Sequence, residues 1–137
     1  MQIILFIFIL IFSSVGAAFA GAVTFSVVSG AYNQVPEPRL MYPLSETAVV
    51  IGNAPLEFRW CDDFVGTSGF ILKIYKGYNM YADNLIYQKK LLAEKSSFEV
   101  KADIFVDDQV YTWSLVRVSF AGYKSDRSFN SFKLFKK

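Results

Sequence analysis

The sequence predicts an all-β fold, an antiparallel β-sandwich, and three observations carry the prediction. Leu56, Phe58 and Trp60 alternate with Glu57 and Arg59, and Tyr111, Trp113 and Leu115 alternate with Thr112 and Ser114. A period of two gives each strand one apolar face and one wet face. About seven such short apolar stretches follow residue 38, separated by turn-forming residues, and no long helical period interrupts them. Short strands with frequent turns are what two packed sheets require. Both alternating stretches carry a tryptophan anchor, so they are expected to meet across the core.

The chain opens differently. Ile3 to Phe12 is an unbroken apolar run, and Ala18-Phe19-Ala20 is an A-x-A site at the distance a signal peptidase needs. That reads as a hydrophobic helix acting as a cleaved signal peptide over residues 1–20, although no Lys or Arg precedes the run. Apolar residues resume at Ala22, Val23, Phe25, Val27 and Val28, so residues 2–28 also have the length of a membrane anchor, which takes roughly 20 residues. Both readings stay open, and both place the folded part away from the cytoplasm. No cysteine lies near Ala20, which argues against a lipoprotein.

Residues 29–38 form a linker, kept extended by Pro36 and Pro38. The sandwich is expected over residues 39–137. Arg39 to Leu44 is the first strand, with Pro43 tolerated only at an edge. Ile51-Gly52-Asn53 is a turn ahead of the second strand, Pro55 to Trp60, and Cys61 to Gly69 is a loop rich in Asp and Gly. In the third strand, Phe70 to Lys76, Phe70, Leu72 and Ile74 point inward while Ile71, Lys73 and Tyr75 point outward. Gly77 to Asn84 is a Tyr-bearing connection, and Leu85 to Gln88 a short strand. Leu91-Leu92-Ala93 has the composition of a helical turn too short to stand alone. Ser97 to Lys101, Gln109 to Ser119 and Ser128 to Phe135 complete the set.

Taken in order, these residues resemble a fibronectin type III domain. Trp60 is similar to the family's tryptophan at the end of its second strand, and Phe70-x-Leu72-x-Ile74 to its third strand. Phe105 with Tyr111 six residues later resembles the tyrosine corner. Tyr111-x-Trp113-x-Leu115 looks like the pattern common in bacterial and archaeal members. Arg117 departs from it, standing where the family usually has a small apolar residue. A charge there needs solvent or a partner, so a bulge or an escape at the strand end is expected. The resemblance implies a spacer or binding module and no reaction. A hydrophobic N-terminal helix bearing a β-sandwich also resembles archaeal pilins, but their usual basic residue before the processing site is missing.

Charge and composition narrow the function. Among 137 residues, 14 Lys+Arg against 12 Asp+Glu leave a net charge of +2, too little to imply a nucleic-acid partner. There is no histidine and one cysteine, Cys61. The commonest general base and metal ligand are therefore missing, as is any internal disulfide. No enzymatic activity, cofactor or metal is expected. Asp62-Asp63 and Asp107-Asp108 fall in turns, where Asp bonds the backbone. Cys61, without a histidine to activate it, reads as a small apolar filler. Lys133, Lys136 and Lys137 interleave with aromatics but are too few to define an anionic partner. The candidate partner-binding residues are Tyr75, Tyr78, Tyr81 and Tyr87, since exposed tyrosine offers rigid amphipathic area to proteins or sugars. The reading is an extracytoplasmic module, secreted or membrane-anchored, binding a protein or glycan at the cell surface. The alternative is a membrane-anchored or pilin-like structural subunit.

Overall fold

The computed structural model describes residues 34–61 and 63–137. The signal or anchor segment and most of the linker therefore lie outside the described residues. Among the described residues, eight strands form two sheets: β1 (Arg39–Tyr42), β2 (Ala48–Ile51), β3 (Leu56–Cys61), β4 (Thr67–Lys76), β5 (Leu85–Leu92), β6 (Ser97–Val100), β7 (Gln109–Ser119) and β8 (Ser128–Lys136). One sheet has the order β1-β3-β6 and the other β2-β8-β7-β4-β5. All pairings are antiparallel except β2 with β8, which run parallel. No helix among the described residues is long and apolar enough to cross a membrane.

The inward residues of both sheets build one core. Leu56, Phe58 and Trp60 of β3 meet Phe70, Leu72 and Ile74 of β4 and Tyr111, Trp113 and Leu115 of β7. Phe58 packs edge-on against Trp113 at 5.0 Å between ring centroids, and Trp60 against Phe70 at 5.5 Å. Edge-to-face pairing suits rings whose faces are electron-rich and whose edges are not. The Trp113 indole N–H, buried with its ring, donates to the Pro43 carbonyl at 2.8 Å. The expected tyrosine corner is present. Phe105 packs edge-on against Tyr111 at 5.1 Å, and the Tyr111 hydroxyl accepts the Val106 N–H at 2.7 Å.

Several expectations need correction. β2 is not expected, since only the Ile51-Gly52-Asn53 turn is read between the first two strands; its four residues pair with the end of β8, where Val49 and Ile51 turn inward. β5 runs to Leu92 because Phe70 pairs with Leu91 and Gly69 with Leu92 on β4, so no helical turn forms there. A Cβ on Gly69 would meet the Leu91 carbonyl oxygen at 2.6 Å, closer than any side chain allows. β4 likewise starts at Thr67, earlier than expected. Finally, the second face of β7 is not wet. Thr112 and Ser114 are buried because β7 is the middle strand of the five, flanked by β4 and β8. The Thr112 hydroxyl reaches the Gly77 carbonyl and the Ser131 hydroxyl, both at 2.7 Å.

Arg117 neither bulges nor escapes. It keeps regular register opposite Phe70, and the irregularity falls on β4 between Thr67 and Gly69. Its side chain is fully buried. Nη1 donates to the Pro36 carbonyl at 2.9 Å, Nη2 lies 3.8 Å from the Asp63 carboxylate, and the guanidinium sits 5.3 Å from the Phe64 ring centroid. The Arg117 backbone exchanges hydrogen bonds with Ser125, whose hydroxyl accepts the Arg117 N–H and whose own N–H donates to the Arg117 carbonyl. One residue thus joins the linker, the β3–β4 loop and the β7–β8 loop at a single end of the sandwich.

Candidate binding surface

The β4–β5 connection is fixed at its start and closed on itself. Gly77, at φ +84°, occupies the left-handed region that a side chain disfavours. Its N–H donates to Val110 at 2.8 Å, and its carbonyl accepts the Thr112 hydroxyl. Further along, a short 3₁₀ turn spans Ala82–Asn84. The Asn84 backbone N–H donates to the Tyr81 carbonyl at 3.0 Å, and its side-chain amide donates to the Asn79 carbonyl at 3.1 Å. The connection is therefore a hydrogen-bonded platform held against β7.

The four candidate tyrosines separate on this platform. Tyr78 and Tyr81 are 71 % and 69 % exposed. Tyr75 faces away from the core as the alternation predicts, sharing Thr112's face of the sheet, but it is 3 % exposed and offers a partner no area. Tyr87 lies opposite Ile74 on β5 and packs against the core, its ring 6.5 Å from that of Phe98. The structure therefore leaves two of the four tyrosines, Tyr78 and Tyr81, largely exposed on one connection. Tyr78 also lines a cleft of about 420 Å³ with Ser45, Glu46, Thr47, Ser131 and Lys133. These polar residues come from the β1–β2 connection and from β8. Nothing in the sequence marks them, because their proximity depends on how β8 lies beside the incoming chain.

The remaining candidates settle into structural roles. The Asp107 carboxylate accepts the Lys136 backbone N–H at 2.7 Å, and Asp108, with φ +57°, pairs with Lys133 at 2.9 Å, so both carboxylates tie their turn to β8 rather than bonding the turn's own backbone as expected. The Lys136 ammonium donates to the Ala102 and Phe105 carbonyls, so the basic ending of the chain is largely engaged in closing the fold. Asp62 lies outside the described residues, and Asp63 stands beside Arg117. Cys61 is half-buried at the end of β3. Among the described residues, no group of three or more His, Cys, Asp or Glu side chains is placed to hold a metal.

No protein-family model and no curated protein sequence matches this chain. Solved structures do. The fibronectin(III)-like modules of Clostridium thermocellum CbhA match with a TM-score of 0.51 at 17% identity, over 72% of this chain and 97% of theirs. An FN3 domain of human collagen XX matches with a TM-score of 0.50 at 12% identity, over 71% of this chain and 91% of that one. An α-L-rhamnosidase from Dictyoglumus thermophilum matches with a TM-score of 0.58 at 12% identity, over 75% of this chain but only 13% of the enzyme. The likeness is one of fold, and the neighbours come from bacteria and from human, so it carries no bacterial or archaeal label. Residues 39 onward have the fibronectin type III fold.

Proposed function

We propose that this fibronectin type III-fold chain is a non-catalytic, extracytoplasmic interaction module that binds a protein or glycan partner through Tyr78 and Tyr81. The observation that carries the reading is the pair of largely exposed rings on a hydrogen-bonded connection. Aromatic side chains on a rigid support lose little freedom on binding, and tyrosine serves both apolar and hydrogen-bonding contacts. The adjacent cleft, with its hydroxyls and Lys133, supplies polar partners beside the Tyr78 ring. The extracytoplasmic setting rests on the apolar N-terminus and its Ala18-Phe19-Ala20 site.

Two measurements test it. A screen of glycans and surface proteins against the purified chain should yield a partner whose affinity falls about thirtyfold or more in Tyr78→Ala or Tyr81→Ala, the range of an interface hot spot. Unchanged binding in both variants refutes the site. The N-terminal residue of the mature protein tests the setting: Gly21 marks a cleaved signal, and Met1 a retained helix. Filaments in purified material would favour an assembly subunit over a binding module.

A further inference from the structure

A second cleft, of about 440 Å³, lies where the chain enters β1 beside the start of β8, and it shares no residue with the Tyr78 cleft. Its floor is fixed. Pro38 and Leu40 are buried, and the Ser128 hydroxyl donates to the Pro38 carbonyl, tying the entering chain to β8. Around this floor stand Arg39, Arg127, Glu37, Phe129 and Asn130.

The chemistry of this lining is specific. Arg39 and Arg127 are both exposed, and neither guanidinium has a hydrogen-bond or ion-pair partner among the described residues. Two cations sharing one cleft repel each other until an anion joins them. The planar fork of each guanidinium matches a carboxylate or sulfate through paired N–H donors. Phe129 is 56 % exposed and presents an apolar plate in the same cleft. Asn130 accepts the Ser45 hydroxyl on Oδ1 at 2.7 Å, and its NH₂ donors have no hydrogen-bond partner among the described residues. Glu37 also lines the cleft and forms no ion pair with either arginine. An ionised carboxylate only accepts hydrogen bonds. It opposes a bare anion such as phosphate and rewards a ligand that also carries hydroxyl donors.

We propose that this cleft binds an anionic sugar, a uronic-acid or sulfated unit of a polysaccharide. Arg39 and Arg127 hold its acid group, Asn130 and Glu37 its hydroxyls, and Phe129 packs on its apolar ring face. An acidic peptide would satisfy the arginines, but its acid groups are not set on an apolar ring face bearing several hydroxyl donors, the combination that Phe129, Asn130 and Glu37 offer partners for.

Calorimetric titration of the full chain tests the assignment with three probes of equal length: a galacturonic acid tetramer, a heparin-derived tetrasaccharide and neutral maltotetraose. At least one acidic probe should bind tenfold or more tightly than the neutral one, and which acidic probe binds separates carboxylate from sulfate recognition. Arg39→Ala and Arg127→Ala should each weaken that binding about fivefold or more, with unchanged thermal midpoints because both side chains are exposed. Glu37→Ala should weaken it as well, and Tyr78→Ala should leave it intact. Equal affinity for acidic and neutral probes, no binding of any probe, or full binding by the double arginine variant overturns the proposal. Tighter acidic binding in Glu37→Ala also overturns it, since that marks a plain anion site. Loss in Tyr78→Ala with the arginine variants unaffected assigns the ligand to the other cleft and overturns it too.

Discussion

Replacing Arg117 by alanine removes the one charged side chain that lies wholly inside the described sandwich. Its bond to the Pro36 carbonyl is charge-assisted, worth about 1.5–3 kcal/mol. Packing of the guanidinium over the Phe64 ring and burial of the side-chain stem add about 1 kcal/mol. Asp63 contributes little, because its side chain is 74% exposed and water takes over when the arginine leaves. The sum is about 3 kcal/mol. For a domain of this size each kcal/mol moves the thermal midpoint by roughly 4–8 °C, so Arg117→Ala should lower it by roughly 12–24 °C. Arg117→Met keeps the stem and removes the desolvated charge, and so should recover at least half of the loss. Urea and thermal unfolding of both variants measure this. Hydrogen exchange should locate the added opening in the β3–β4 loop and around Ser125, the segments that Arg117 joins. A loss below about 1 kcal/mol in Arg117→Ala, or a methionine variant as damaged as the alanine one, would refute the clamp.

Further expectations concern the frame that positions both clefts. Tyr111→Phe removes the acceptor for the Val106 N–H and should cost about 1–3 kcal/mol in urea unfolding without altering the strand pairing. Thr112→Val leaves the Gly77 carbonyl and the Ser131 hydroxyl without their shared partner. It should cost about 1–2 kcal/mol and raise exchange of the Gly77 amide, loosening the tyrosine platform. Gly69→Ala forces a carbon into the Leu91 carbonyl, so β4 and β5 must separate locally. A loss of about 1–3 kcal/mol with exchange confined to that strand pair is the expected signature.

Much of the frame was legible because period-two alternation is a local signal. Leu56 to Trp60 and Phe70 to Ile74 face where their spacing says they must, and the Phe105–Tyr111 spacing yielded its corner. β2 was not legible, since Ala48 to Ile51 is only four residues long beside the Gly52-Asn53 turn and becomes a strand through its pairing with β8. Thr112 and Ser114 read as solvent-facing for a related reason. A polar residue on a strand reads as exposed, yet in a central strand its hydroxyl can be satisfied by neighbouring chains. Of the binding candidates, Tyr78 and Tyr81 could be read from a polar connection. The burial of Tyr75 and the partial burial of Tyr87 depended on what covers one sheet face and on where β5 packs.

By itself the sequence determined a β-sandwich starting near Arg39, its aromatic anchors, and an N-terminal apolar segment set apart from every charge. Those are properties of spacing and composition, carried by neighbours along the chain. The fate of Arg117, the exposure of each tyrosine and the joining of Arg39 with Arg127 in one cleft were decided only by the tertiary structure. Each depends on residues far apart in sequence brought together by strand order, and one hydrogen-bond acceptor of the buried Arg117 guanidinium, the Pro36 carbonyl, lies 81 positions away.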